Sequence, residues 1–177
     1  MKESLLIAGF GGQGIMLLGK LIAYTAMKEG YQVTMIPSYG PEMRGGTANC
    51  TVTLSDEKIG SPLTAHPDTV IIMNQPSLEK FAHAVKKDGK ILVNSCLVKK
   101  GLDKMVKQEL IPVPANRLAR EIGEERVANM VLLGAYLVRN RFLTMENIKD
   151  SIRELIGQKG ERLLSYNFKA LELGARI

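Results

Sequence analysis

Apolar residues fall into short unbroken runs through the first part of the chain and into helical spacing through the last third. "SLLIAGF" (4–10) is apolar and ends in glycine, which by length and flanks predicts a buried β-strand. From Ile15 to Lys28 the chain is apolar nearly all round, with Gly30 placed to stop it, and this predicts a helix. "YQVTMI" predicts a second strand, ended by Pro37. Strand, glycine turn, helix and strand make one βαβ unit, for which parallel strands and a right-handed crossover are expected.

"TANCTVTL" alternates: Ala48, Cys50, Val52 and Leu54 share one face, and Thr47, Asn49, Thr51 and Thr53 share the other. That period predicts a half-buried strand with Cys50 in the core. "SDEK" reads as a turn. "TVIIMN" and "KILVNS" read as buried strands, separated by a helix that Pro76 begins and "KDGK" ends. "ELIPVP" predicts a last strand, at an edge because of its prolines. Helices are expected near 115–122, 126–140, 144–157 and 159–172, the third carrying Ile148, Ile152, Leu155 and Ile156 at helical spacing. No repeat or linker interrupts the chain. The fold class is α/β: a Rossmann-like open, mostly parallel sheet flanked by helices, with a helical C-terminal part, in a single domain spanning 1–177.

Composition narrows the function. The 177 residues suffice for one well-buried domain, and an apolar fraction of 45% with 24% charged residues is ordinary for a soluble one. No run reaches the roughly 20 apolar residues of a membrane span, and "MKESLLIAGF" is too short-cored for a signal peptide, so a cytoplasmic protein without membrane contact is expected. Cys50 and Cys96 form no C-x-x-C pair, and with only His66 and His83 beside them neither a cluster nor a zinc site is expected. His83 falls beside the stripe of Leu78, Phe81, Ala82 and Val85, as a solvated flank residue would, and His66 reads as a loop residue. The net charge of +6 suits phosphorylated ligands or an acidic partner. The basic residues are scattered and no reader motif is present, so nucleic acid is not an expected partner.

Ligands of open parallel sheets bind at the edge where the loops after the strands gather. Those loops are "GFGGQG", "PSYGPEMRGG", "NQPS" and "NSC". Gly9, Gly11 and Gly14 fit the G-x-G-x-x-G spacing between a strand and a helix, the context in which it has meaning. With Gly12 and Gln13 they offer amides at a helix start for a phosphate, or simply a tight turn and close packing. An ordinary dinucleotide site would also end the second strand in an acid, whereas this strand ends "TMIPSYG". In the second loop Arg44 precedes Gly45 and Gly46, so a guanidinium stands beside a possible amide nest, with Ser38 upstream. Arg44 can serve a ligand, a partner chain or an internal pair with Glu42. Ser38, Ser77 and Ser95 lack an activating partner, Lys20 lies too far into its helix for a Walker lysine, and Cys96 reads as an inert strand-end thiol. A binding domain without catalytic residues of its own is expected.

"GFGGQGI", "PSYGPEMRGGTANCTVTLSDEKIGSP" and "DTVIIMNQPSLEKF" together resemble the gamma subunit of the 2-oxoacid:ferredoxin oxidoreductases, and "ILVNSCL" and "ERVANMVLLGAYL" continue the similarity over most of the chain. The wording "MNQPSL" and "VANMVLLGAYL" is most like the 2-oxoglutarate (KorC-type) branch. The resemblance implies an assembly that decarboxylates a 2-oxoacid oxidatively, reduces ferredoxin and makes an acyl-CoA. It implies alpha and beta subunits, with a delta subunit in some assemblies, as partners. These would carry thiamine diphosphate, magnesium and the iron–sulfur clusters. Coenzyme A (CoA) would be the ligand near Gly9, Gly11, Gly12, Gln13, Gly14, Ser38, Arg44, Gly45 and Gly46, with no cofactor held by this chain alone. The competing reading is a free-standing Rossmann-like oxidoreductase using NADP or flavin, with Arg44 on a 2′-phosphate.

Overall fold

The computed structural model describes residues 1–39, 47–104 and 108–177. In chain order they form β1 (Lys2–Phe10), α1 (Ile15–Lys28), β2 (Gln32–Tyr39), β3 (Thr47–Ser55), β4 (Thr69–Ile72), α2 (Gln75–Phe81), β5 (Lys90–Asn94) and β6 (Glu109–Val113). There follow α3 (Ala115–Glu121), α4 (Ala128–Leu137), α5 (Met145–Ile156) and α6 (Glu161–Gly174). The strands make one sheet of six in the order β2-β3-β1-β4-β5-β6. β1, β4, β5 and β6 are parallel, and β3 runs antiparallel to both of its neighbours.

β1 and β2 point the same way, as expected of a βαβ unit, but β3 lies between them. The sequence order could not reveal this insertion, because a hairpin from β2 to β3 fits equally well on either side of β2. A second correction concerns Pro37, which does not end β2. It sits inside the strand opposite Cys50. β2 is an edge strand, where a missing N–H need cost no ladder bond. Ser38 is accordingly a strand residue, exposed and opposite Asn49. β6 occupies the other edge, as its prolines suggested.

β1 buries both faces. Leu5 and Ile7 point into the larger core with Ile71, Leu92, Cys50, Val52 and Leu54, under α1 and the C-terminal helices. Leu6 and Ala8 point the other way, with Val70, Ile72, Ile91 and Val93, against Leu78, Ala82 and Val85 of α2 and the turn that follows it. Burial pushes the Cys50 thiol up to about 11, which leaves it an inert apolar filler. His83 is exposed beside this second core. No described helix is long and apolar enough to cross a membrane.

The C-terminal helices lie within two residues of their expected positions, except that α4 ends at Leu137, three residues short of the expected 140; it also starts two residues later. Glu124 accepts a hydrogen bond from the Arg126 amide, and Glu125–Val127 form a 3-10 turn before Ala128. Every residue of α4 is buried. It crosses α6 at two glycines: a Cβ on Gly134 would stand 2.0 Å from the Leu171 carbonyl oxygen, and one on Gly174 would stand 1.9 Å from that of Val131. Both obstacles are backbone, so no rotamer change relieves them.

Gly134→Ala and Gly174→Ala must therefore push the two helices apart. Each is expected to cost about 1–3 kcal/mol as an overpacking substitution, lowering Tm by roughly 3–10 °C in a chain of this size. Thermal unfolding followed by circular dichroism checks this against Gly60→Ala, where a Cβ would meet nothing within 4 Å.

Candidate functional site

β1, β2, β4 and β5 all end at one edge of the sheet, so the turns after them converge there. The first turn is built by close approach. A Cβ on Gly9 would lie 2.7 Å from both Gln13 Oε1 and Ile15 Cδ1 and 2.8 Å from Met73 Cβ, an atom fixed to its backbone, so glycine lets the turn fold down onto the strand. Gln13 then locks it: its Oε1 accepts from the Phe10 amide at 2.7 Å and from Asn74 Nδ2 at 3.0 Å. Asn74 passes the connection on, its Oδ1 accepting from the Ser77 amide at 3.0 Å as the N-cap of α2. One side-chain amide thus ties the turn after β1 to the turn after β4.

Gly12 and Gly14 both have positive φ, 95° and 77°. Gly14 is the N-cap residue of α1, and among the described residues no side chain caps that helix. Among those residues the first-turn amides therefore keep donors unpaired beside the positive end of the helix dipole, an arrangement that favours an anion. Asn129, at the start of α4, closes over Gly14 and donates to its carbonyl at 3.4 Å. A Cβ on Gly14 would meet Asn129 Nδ2 at 2.2 Å, whereas one on Gly12 would meet nothing within 4 Å.

Beside the turn opens a cavity of about 330 Å³, lined by Gly12, Gln13, Asn116, Glu125, Arg126 and Asn129, with Met73 and Ala128 at its floor. Its polar wall is braced from behind. Asn94 donates to Asn116 Oδ1 at 2.6 Å, and Asn116 and Arg120 both donate to Glu125 Oε1 at 3.0 Å. The Arg120 hydrogen bond, then that of Asn116, holds the Glu125 carboxyl below the usual range. Arg126 grips Glu124 through Nε and Nη2, both at 2.8 Å, and brings that carboxyl down to about 2. Both acids are thus charged and engaged. Cys96, half-buried, accepts from the Arg117 amide at 3.4 Å and faces α3.

Gly9, Gly11, Gly12, Gln13 and Gly14 come together in this turn. Ser38 lies at the same edge two strands away, since Asn49 opposite it on β3 is the register partner of Ala8. Arg44, Gly45, Gly46 and Glu42 lie outside the described residues. The described ends of that loop are informative nonetheless: Thr47 pairs with Phe10, and Tyr39 pairs with Ala48. Both ends are therefore held next to the glycine turn. β2 closes with Pro37, Ser38 and Tyr39, so no described acid stands where a ribose would be held. The sequence reading missed Asn74, Asn116, Glu125, Arg126 and Asn129. For Asn74 a signal existed, an Asn two residues ahead of a Pro at a helix start. For Asn129 it was a lone amide opening an otherwise apolar helix.

Residues 4–177 match the Pyruvate ferredoxin/flavodoxin oxidoreductase family. The chain is 39% identical over 170 residues to ketoisovalerate oxidoreductase subunit VorA of Methanothermobacter marburgensis, covering 96% of this chain and 35% of that one. It therefore spans about a third of the length of the first curated relatives it matches. It is 32% identical over 173 residues to 2-oxoglutarate synthase subunit KorC of Methanocaldococcus jannaschii, covering 94% of this chain and 91% of that one. Among solved structures, 2-oxoglutarate:ferredoxin oxidoreductase from Magnetococcus marinus, with 2-oxoglutarate, coenzyme A and succinyl-CoA bound, superposes with a TM-score of 0.91 at 25% identity. That match covers 99% of this chain and 30% of the other.

The two positive-φ glycines should respond differently to substitution. Gly12→Ala strains the backbone alone, by about 1 kcal/mol, because its Cβ enters open space. Gly14→Ala adds the collision with Asn129 and is expected to cost about 2–3 kcal/mol. In the double variant Gly14→Ala/Asn129→Ala the collision is removed and part of the loss returns. Urea unfolding of the single and double variants measures this coupling.

Proposed function

The chain belongs to the pyruvate ferredoxin/flavodoxin oxidoreductase family, and from that premise we propose that it is the gamma subunit of a 2-oxoacid:ferredoxin oxidoreductase, forming the CoA side of a shared active site. The complex would convert a 2-oxoacid and CoA to acyl-CoA and CO2, passing the electrons to ferredoxin. The alpha and beta subunits, joined in some assemblies by a delta subunit, would carry thiamine diphosphate with its magnesium and the iron–sulfur clusters.

The observation that carries the CoA assignment is the glycine turn before α1, a helix start uncapped among the described residues, lining a polar cavity through Gly12 and Gln13. CoA presents a diphosphate, which suits helix-start amides, and a pantetheine arm with two amides, which suits Gln13, Asn116 and Asn129. The cavity is at the small end of the range for ligand sites, too small to enclose CoA alone, so partner chains would complete it. Ser38, Arg44, Gly45 and Gly46 would complete the phosphate side, since the ends of their loop flank Phe10. The free thiols of Cys50 and Cys96 suit a cytoplasmic, reducing setting. A free-standing NADP or flavin enzyme loses ground, because β2 offers no ribose acid and the family match spans nearly the whole chain.

For the substrate we propose 2-oxoglutarate, with the ketoisovalerate relative making a branched 2-oxoacid the direct competitor. Anaerobic purification of the tagged chain from its native extract should yield a coloured complex with CoA- and 2-oxoacid-dependent viologen reduction, and competition among 2-oxoacids identifies the substrate. In that complex Gly12→Val and Arg44→Ala should each raise the KM for CoA about tenfold or more and leave that for the 2-oxoacid within about twofold, as losses confined to one ligand's binding do. Unchanged CoA kinetics would remove the CoA assignment. A chain that purifies alone and binds NADP or flavin would remove the subunit reading.

A further inference from the structure

At the opposite edge of the sheet, where β1, β4 and β5 begin, lies a second cavity of about 210 Å³. It is lined by the chain start, by Asp68 and Thr69, by Lys90, and by the turn from Arg139 to Phe142. Six charged side chains face it: Lys2, Lys90, Arg139 and Arg141 against Glu3 and Asp68. The two acids are already engaged. Asp68 accepts from the Ser4 amide at 2.8 Å and its hydroxyl at 2.7 Å, and it pairs with Lys86. Glu3 accepts from Thr69 at 3.1 Å, and burial pushes its carboxyl up, which favours its neutral form.

The cations are not engaged in the same way. Among the described residues Lys2, Lys90 and Arg141 make no ion pair, and Arg139 reaches Glu109 only at 4.0 Å. Lys90 and Arg139 instead spend donors on backbone carbonyls, of Arg139 at 3.4 Å and of Ala135 at 2.8 Å, which fixes them in place without neutralising them. Behind Glu3 stands Tyr136, 1% exposed, with its hydroxyl against the Glu3 carboxyl; burial first, then the Glu3 charge, pushes that hydroxyl well above its usual range.

We propose that this cavity is a second ligand site, for a small oxyanion such as phosphate or a carboxylate, held by Lys90, Arg139 and Arg141 on the face opposite the glycine turn. The ligand would supply the charge that the cluster lacks, beside Glu3 and Thr69 of the same lining. Its volume suits one oxyanion group with its waters, and it excludes a nucleotide-sized molecule. The site is independent of the CoA reading, sharing no residue with the glycine turn.

The test is a titration of the full chain with inorganic phosphate, followed by amide chemical shifts. Saturable shifts at Thr69, Lys90 and Arg139 with a Kd near 1 mM or below are expected, as is a loss of about tenfold or more in Arg141→Gln, whose exposed side chain can change without disturbing the core. Acetate in a parallel arm separates the two oxyanion chemistries: competition by acetate assigns a carboxylate ligand, and its failure assigns phosphate. Gly12→Val, at the other edge, should leave these shifts unchanged. Shifts confined to residues 11–14, no saturation up to about 20 mM, or equal binding by Arg141→Gln would each overturn the site.

Discussion

The contact on which the molecule turns is the crossing of α4 and α6 at Gly134 and Gly174, where each glycine meets the other helix's backbone. α4 is apolar on every side, so burial alone would not fix its rotation or its slide along the sheet. The two glycines do fix them, because only one placement lets backbone approach backbone so closely. That placement sets Asn129 against Gly14, and the turn before α4 carries Glu125 and Arg126 to the rim of the cavity. A packing decision in the C-terminal helices thus shapes a site whose glycine turn lies near the start of the chain.

The second constraint is the insertion of β3 between β1 and β2. An uninterrupted parallel βαβ unit would carry the loop after β2 into a crossover. Instead, β2 and β3 pair antiparallel, and Thr47 at the start of β3 pairs with Phe10 beside the glycine turn. The edge that ordinary Rossmann folds reserve for a ribose acid is thereby taken by the paired ends of β2 and β3. This is the physical reason a G-x-G-x-x-G signature can stand without its acid. Gln13 holds the turn itself: its carboxamide oxygen joins Phe10 to Asn74.

Strands and helices were legible because their signals are local. Alternation in "TANCTVTL" placed Cys50, Val52 and Leu54 in the core, and prolines placed β6 at an edge. The glycine turn was legible for the same reason, since its residues are adjacent in sequence. Sheet order was not, because either side of β2 satisfies the hairpin. Nor was the far wall of the cavity: Asn116, Glu125, Arg126 and Asn129 are brought to Gly12 only by the packing of α3 and α4, more than a hundred residues along the chain. Pro37 misled because the rule that proline ends strands assumes two neighbours, and β2 has one.

The central claim, that the glycine turn and the start of α4 hold CoA within an assembled oxidoreductase, is tested most directly by hydrogen exchange of the anaerobic complex with and without CoA. CoA should slow exchange at the amides of residues 11–17 and 126–129 by about tenfold or more, with little change at β6 on the far edge. Protection that spares residues 11–17 and appears only on other subunits would contradict the claim and leave this chain an architectural part of the assembly.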